Sequence, residues 1–210
     1  DALKKDFEGY EELHQAFLGV PKYGNDDESV DSIVRQWYDL FYEEHQKSKD
    51  YLGKEMRPAA ISIAAHFPFG LSCGALPNGR KAKLPLTDAT VSPEPGKDTK
   101  GPTALIRSAT RAIDTIRYAS GQLNMKFHPS ALADQKGKRN LLALIKSYTD
   151  LGGHHVQFNV VSAETLRDAQ MHPENYRNLI VRVAGFSAFF VHLDRGVQNE
   201  IIRRTELKFV

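Results

Sequence analysis

Apolar positions along this chain fall into two periods, one helical and one of alternation. Val30, Ile33, Val34, Trp37, Leu40 and Phe41 share one face of a helix with charges opposite, and Asp27 or Ser29 supplies its cap. A shorter helical pattern occupies residues 1–20 and ends near Gly19, where Pro21-Lys22-Tyr23-Gly24-Asn25-Asp26-Asp27 brings in turn formers. Pro102 opens another helix at its first turn, with Leu105, Ala109, Ala112, Ile113 and Ile116 facing inward. A further helix runs from about Lys138 to Asp150, burying Leu141, Leu142, Ile145 and Tyr148, and stops at Gly152-Gly153. Ser162 caps a short helix from Ala163 to Met171, which ends before Pro173.

The other segments predict strands. Ala60 to Phe67 is short, apolar and closed by Pro68 and Gly70, so the alternation of side chains would put Ser62, Ala64 and His66 on one face. Gln122 to His128 forms a second strand ended by Pro129, and His154 to Val161 a third. Val181 to Val191 is a nearly unbroken apolar run with Gly185 at its centre, where glycine marks a bulge, a bend or a close backbone approach. Between Gly74 and Ala104 glycine and proline are dense, Asn78-Gly79 is a turn signal, and loop is expected. Strands alternating with helices predict an α/β fold.

Composition removes several function classes. With 41% hydrophobic and 26% charged residues in 210, the chain can bury a core in one or two domains. The net charge of +2 is interspersed along the sequence, which points away from nucleic-acid and membrane partners. No run is long and apolar enough for a membrane span and no signal peptide opens the chain, so a cytoplasmic location is expected. Adjacent His154 and His155 point to opposite faces of a strand, and the eight histidines show no other zinc-like spacing, so no metal site is predicted. One cysteine, Cys73, excludes an internal disulfide and a cysteine-ligated iron–sulfur cluster made by this chain alone. The first residue, Asp1, leads us to expect a piece of a longer polypeptide.

The segment Arg182-Val183-Ala184-Gly185-Phe186-Ser187, followed by Val197-Gln198 and by Ile201-Ile202 with Arg204-Thr205, resembles the signature of the glycyl radical enzymes. Further segments share the resemblance: Pro21 to Asp27, Leu76-Pro77-Asn78-Gly79-Arg80, Gly101-Pro102-Thr103-Ala104, His155 to Val161, and Asp168 to Tyr176. It implies that Gly185 carries a backbone radical, with Arg182, Val183, Ala184, Phe186 and Ser187 completing the loop motif. The chemistry fits glycine, because a Cα radical spreads onto the flanking amides only if the centre flattens, and a Cβ would crowd and strain it. Val183, Phe186, Phe189 and Phe190 would bury the site against water and oxygen.

The same resemblance implies the C-terminal part of a ten-stranded α/β barrel with the glycyl radical loop inserted toward its centre. Residues 1–120 would be the last portion of the barrel domain with its connecting loops, and residues 121–210 the glycyl radical domain. The Ala60–Phe67 strand would line a substrate cavity with Ser62, Ala64 and His66, although His66 equally reads as a core histidine with a satisfied hydrogen bond. Cys73 is followed by Gly74-Ala75, whereas the family's thiyl cysteine lies in a loop far upstream, commonly with a glutamate two residues later. Cys73 therefore reads as structural, and the catalytic cysteine is expected outside this chain.

Expected partners are the remainder of a lyase polypeptide, a small-molecule substrate, a second copy of the full enzyme, and a radical S-adenosylmethionine activase whose iron–sulfur cluster installs the radical. No cofactor is expected on this chain. The Leu76–Arg80 and Gly101–Ala104 segments lean toward dehydratase and aryl-acid decarboxylase relatives rather than strict pyruvate formate-lyases. Two other readings stand beside this one: a spare-part radical protein that docks onto an oxygen-damaged lyase, and an ordinary α/β domain with a coincidental motif.

Overall fold

The computed structural model describes residues 1–209, a mixed α/β arrangement of seven α-helices and five strands among those residues. Its centre is β1 (Gln122–Phe127), paired in parallel with β2 (His155–Val160) on one side and with the short β5 (Glu206–Leu207) on the other. Parallel neighbours need a long crossover, and α5 (Gln135–Asp150) supplies it between β1 and β2; Asp134 caps it by accepting from the Gly137 amide at 2.7 Å. The run Gln-Leu-Asn-Met-Lys-Phe alternates strictly, so β1 has two unlike faces. Leu123, Met125 and Phe127 are buried in the main core with Leu105, Ile106 and Ala109 of α4 (Gly101–Ala112) and Leu144 and Tyr148 of α5. Gln122 and Lys126 are buried on the opposite face, beside the half-buried Asn124.

A second core lies on that opposite side. Leu166 and Ala169 of α6 (Ala163–Met171) pack with Val181, Val183, Phe190 and Ile201, the last from α7 (Arg195–Arg203). Ser162 caps α6 as predicted, accepting from the Thr165 amide at 3.1 Å. On the far side of α4 lies α2 (Glu28–Gln46), whose N-cap is Asp27. Asp31, fully buried in α2, accepts from Ser108 Oγ at 2.9 Å and from Arg111 Nη1 at 3.3 Å, which ties the two helices.

Several expectations are corrected. The helical pattern of residues 1–20 forms a helix only in α1 (Glu11–Gly19), after a stretch of turns. The predicted inward face of α2 is wrong: Ile33, Trp37, Leu40 and Phe41 are exposed, Trp37 at 69%. Its core face keeps Val34 from that prediction and adds Tyr38 and Tyr42, because tyrosine buries its ring while its hydroxyl reaches a carbonyl, here Tyr38 to Thr90 at 2.6 Å. Ile116 and Leu142 are likewise exposed, and Leu144 takes the place predicted for Leu142.

Ala60–Phe67 is not a strand. The carbonyl of Ala60 is taken by Ser120 Oγ at 2.6 Å rather than by a neighbouring strand, and a turn at Ala64-Ala65 leads into α3 (His66–Ser72). Pro68 falls in the first turn of that helix, where its missing N–H costs nothing. Residues 73–100 form no helix or strand, as the glycine and proline density predicted. Among the described residues no helix is long and apolar enough to cross a membrane.

Candidate functional site

Gly185 sits at the tip of an antiparallel hairpin made by β3 (Ile180–Arg182) and β4 (Ser187–Phe189), with Val181 opposite Ala188 and Arg182 opposite Ser187. The Val183 amide donates to the Phe186 carbonyl at 2.9 Å, leaving Ala184 and Gly185 as the two turn residues. Gly185 has φ +79°, a left-handed value that strains any residue with a side chain. Space is not the constraint: a Cβ built there would lie 3.4 Å from the Ser62 carbonyl oxygen and 4.0 Å from Gln122 Oε1. It is the backbone conformation that selects glycine.

Three-residue strands do not hold a hairpin by themselves. This one is held by polar side chains from outside it. Asn159 of β2 donates from Nδ2 to the Arg182 carbonyl at 2.9 Å and accepts the Arg182 amide at 2.8 Å. Gln157, also on β2, accepts from Arg182 Nε at 2.8 Å. Arg204, just after α7, donates to the Arg182 carbonyl at 3.1 Å and to the Val183 carbonyl at 2.8 Å. Gln198 of α7 donates to the carbonyls of Phe190 and Leu193 at 2.9 and 3.2 Å, fixing the exit of the hairpin.

A buried charge cluster stands behind Arg204. Its guanidinium makes a bidentate pair with Glu200 at 2.9 and 2.7 Å, and its Nε lies 3.0 Å from Asp88 Oδ2. Asn124 Nδ2 donates to Asp88 at 2.9 Å, and His66 Nε2 lies 3.2 Å from Glu200. Burial would raise Glu200, but the Arg204 charge and the His66 contact outweigh it and hold the carboxyl at about 2. Burial pushes Asp88 up, with Arg204 opposing. Further down the same face, burial lowers Lys126 to about 8 against the pull of Glu206, and raises Asp98 to about 6 against its bond from Thr205. Lys126 donates to the Ile201 and Ile202 carbonyls at 3.3 and 2.9 Å, closing the C-terminal end of α7.

Residues 87–191 match the family described as glycine radical, and residues 1–70 match a second described as pyruvate formate lyase-like. The chain belongs to the glycine radical family. Indoleacetate decarboxylase of Tractidigestivibacter scatoligenes is 49% identical over 199 residues, which are 94% of this chain and 22% of that protein. Trans-4-hydroxy-L-proline dehydratase of Clostridioides difficile is 42% identical over 209 residues, 99% of this chain and 26% of that protein. The glycerol-bound B12-independent glycerol dehydratase of Clostridium butyricum superposes with a TM-score of 0.93 at 42% identity, covering 99% of this chain and 26% of that one. The chain thus spans about a quarter of the length of the relatives it matches. Decarboxylases and dehydratases are the relatives toward which the sequence leaned.

Within this hairpin, Val183 and Ala184 are buried and Arg182 is half-buried, while Ser187 is exposed. The expected apolar shield is incomplete. Phe190 is fully buried, but Phe186 is 44% and Phe189 41% exposed, because β4 alternates and Phe189 pairs with Ile180 on the outer face. Ser62 comes to Gly185 through its carbonyl, its Oγ buried without a hydrogen-bond partner. His66 joins the charge cluster from the first residue of α3, and Ala64 lies half-buried in the turn before it. Cys73 is half-buried at the end of α3, its carbonyl accepting from the Lys83 amide.

No local pattern announced a cluster of three residues, His128, Glu164 and Glu206, whose ligand atoms lie within 4.8 Å of one another. Glu206 already accepts the Ala163 amide at 2.5 Å and faces Lys126, which accounts for it structurally. Sequence reasoning also passed over Gln122, Asn124, Gln157 and Asn159. Their signal was present: β1 and β2 both alternate polar with apolar although both lie in a parallel sheet, where continuous apolar runs are the rule.

Proposed function

We propose that this chain is the radical-storing C-terminal part of a glycyl radical lyase of dehydratase or decarboxylase type, with Gly185 as the radical centre. The observation that carries this is a glycine with φ +79° at the tip of a hairpin inside the matched glycine radical segment, its neighbouring carbonyls fixed by buried side chains. A hydrogen atom removed from Gly185 Cα leaves a radical shared between the amide nitrogen on one side and the carbonyl on the other. The radical centre then takes a hydrogen atom from the S–H of a cysteine outside this chain, which regenerates the glycine and leaves a thiyl to attack substrate. Cys73 is not that cysteine in this reading.

One cysteine cannot ligate a cluster alone, and in this reading the iron–sulfur chemistry that makes the first abstraction belongs to a separate S-adenosylmethionine-dependent activase. The three parallel strands would continue into a ten-stranded barrel in the full enzyme, which works as a homodimer in the cytoplasm under anaerobic conditions. We place the boundary between the barrel portion and the radical domain near residue 120, where the chain passes from helices and loops into β1. In this reading Ser62, whose carbonyl lies against Gly185, Ala64 and His66, which contacts Glu200, would face the substrate cavity. The spare-part reading is not favoured, because residues 1–70 match the lyase-like family rather than the radical segment.

The test is electron paramagnetic resonance on the full enzyme activated without oxygen. The parent should give a doublet from the one hydrogen left on the radical carbon. Gly185→Ala should give none while its circular dichroism is unchanged, the strain at φ +79° costing about 1–3 kcal/mol. A doublet that survives in the alanine variant would sink the assignment.

A further inference from the structure

We propose that Arg204 is a positioning residue that clasps the Gly185 turn, and that loosening its hold on the Arg182 and Val183 carbonyls governs how readily Gly185 is presented to its activase. The inference rests on Gly185 being the radical centre. Arg204 is 7% exposed, and its donors are divided between two tasks. Nη1 and Nη2 reach the two carbonyls that immediately precede Ala184-Gly185, while Nε and Nη2 engage Glu200 and Nε also faces Asp88. A planar guanidinium can serve both tasks at once, whereas a lysine ammonium is a single point.

The two carboxylates that orient Arg204 come from different parts of the fold. Glu200 lies one helical turn before it on α7, so it moves with Arg204. Asp88 belongs to the loop between α3 and α4 and is itself held by Asn124 of β1. The Arg204–Asp88 contact therefore ties the hairpin and α7 to the remainder of the molecule. If the cluster served stability alone, nothing would require its guanidinium to end on the backbone of the turn.

Two variants of the full enzyme separate these roles. Arg204→Lys keeps a positive charge opposite Glu200 and Asp88 but cannot span both carbonyls; Asp88→Asn keeps the shape and removes the charge that orients the guanidinium. In the unactivated enzyme, amide hydrogen exchange across residues 183–187 should quicken about tenfold in both, a shift of the size ordinary for a two-state coupling. With activase, the initial rate of radical formation should rise about fivefold, and loss of the doublet in air should quicken by a similar factor, because closure protects only while it lasts. Arg111→Lys, at the distant helix pair, is the control that lowers stability without touching the turn, and should leave all three rates unchanged. If Arg204→Lys fails to fold, Asp88→Asn alone decides. Parental exchange and activation rates in a folded variant overturn the clasp. Absence of any radical in the parent overturns the radical assignment instead, and the exchange measurement still tests the clasp.

Discussion

The two faces of β1 do opposite things with the same burial. On one, Leu123, Met125 and Phe127 are at most 3% exposed and join the main core; on the other, Gln122 and Lys126 are as deeply buried but serve the hairpin side of the sheet. The apolar face stabilises without direction, each large side chain contributing about 1.5–3 kcal/mol by leaving water. The polar face stabilises little in net terms, since its groups exchange water for protein partners, but each partner lost leaves a buried group unsatisfied at about 1–3 kcal/mol. One face thus makes the fold, and the other, with Gln157 and Asn159 beside it on β2, meets the hairpin and α7.

The largest expected effect breaks the apolar face. Phe127, fully buried and stacked on Phe209 with ring centroids 5.2 Å apart, should cost about 3–5 kcal/mol when replaced by alanine, measured by urea unfolding. Amide exchange at residues 183–187, corrected for global unfolding, should stay at the parental rate. If the hairpin loosens as much as the core, the two faces are not separable and the comparison fails.

How much of this division was legible in the sequence follows from the same physics. Helical periodicity found α4, α5 and α6, and the cap at Ser162, with Asp27 as one of two candidates for α2, was legible because a side-chain oxygen two or three residues before an amide is a local feature. Periodicity also found the apolar stripe of α2 but put it inside, since the pattern records which residues are apolar and not what covers them; Tyr38 and Tyr42 took the core instead. The Ala60–Phe67 segment was misread because a short apolar run has no strand character without a neighbour to pair with.

The family motif led to Gly185 and its hairpin, yet left Arg204, Asn159, Glu200 and Asp88 without roles. Apart from the Glu200–Arg204 pair one helical turn apart, their partners are backbone atoms and charges separated by tens of residues, which no local pattern encodes. What the sequence did offer was the alternation in β1 and β2, polar residues at positions that a parallel sheet buries.

A smaller effect sharpens the comparison on the polar face. Asn159 makes both of its bonds to Arg182, one to the amide and one to the carbonyl. Asn159→Ala leaves the Arg182 amide unpaired and its carbonyl to Arg204 alone, and should cost about 1–3 kcal/mol by the same unfolding measurement. Asn159→Asp keeps the acceptor for the amide but sets a carboxylate oxygen against the Arg182 carbonyl in a buried site, so it should cost at least as much as alanine. In both, exchange at residues 183–187 should quicken by more than the global stability change accounts for, which is the reverse of Phe127→Ala. Equal local and global changes would mean that Asn159 is only one more core contact.

The smallest effect divides the polar face itself. Lys126 touches α7 rather than the hairpin, holding the Ile201 and Ile202 carbonyls, and burial holds it at about 8 in the fold against 10.5 for a free lysine. For a base whose pKa is lowered by folding, the unfolded chain binds more protons between those two values, so its contribution to stability is least below pH 8 and recovers as pH rises toward 10.5. Between pH 8 and pH 9 the parent should therefore gain about 1 kcal/mol relative to Lys126→Met, in which this titration is absent. Taking the difference between the two proteins cancels the groups common to both. A flat difference across that range would show that Lys126 is not held in a low-dielectric site. A rising difference, with exchange at residues 183–187 unchanged in Lys126→Met, would place Lys126 with the anchoring of α7 and leave the hairpin to Asn159 and Arg204.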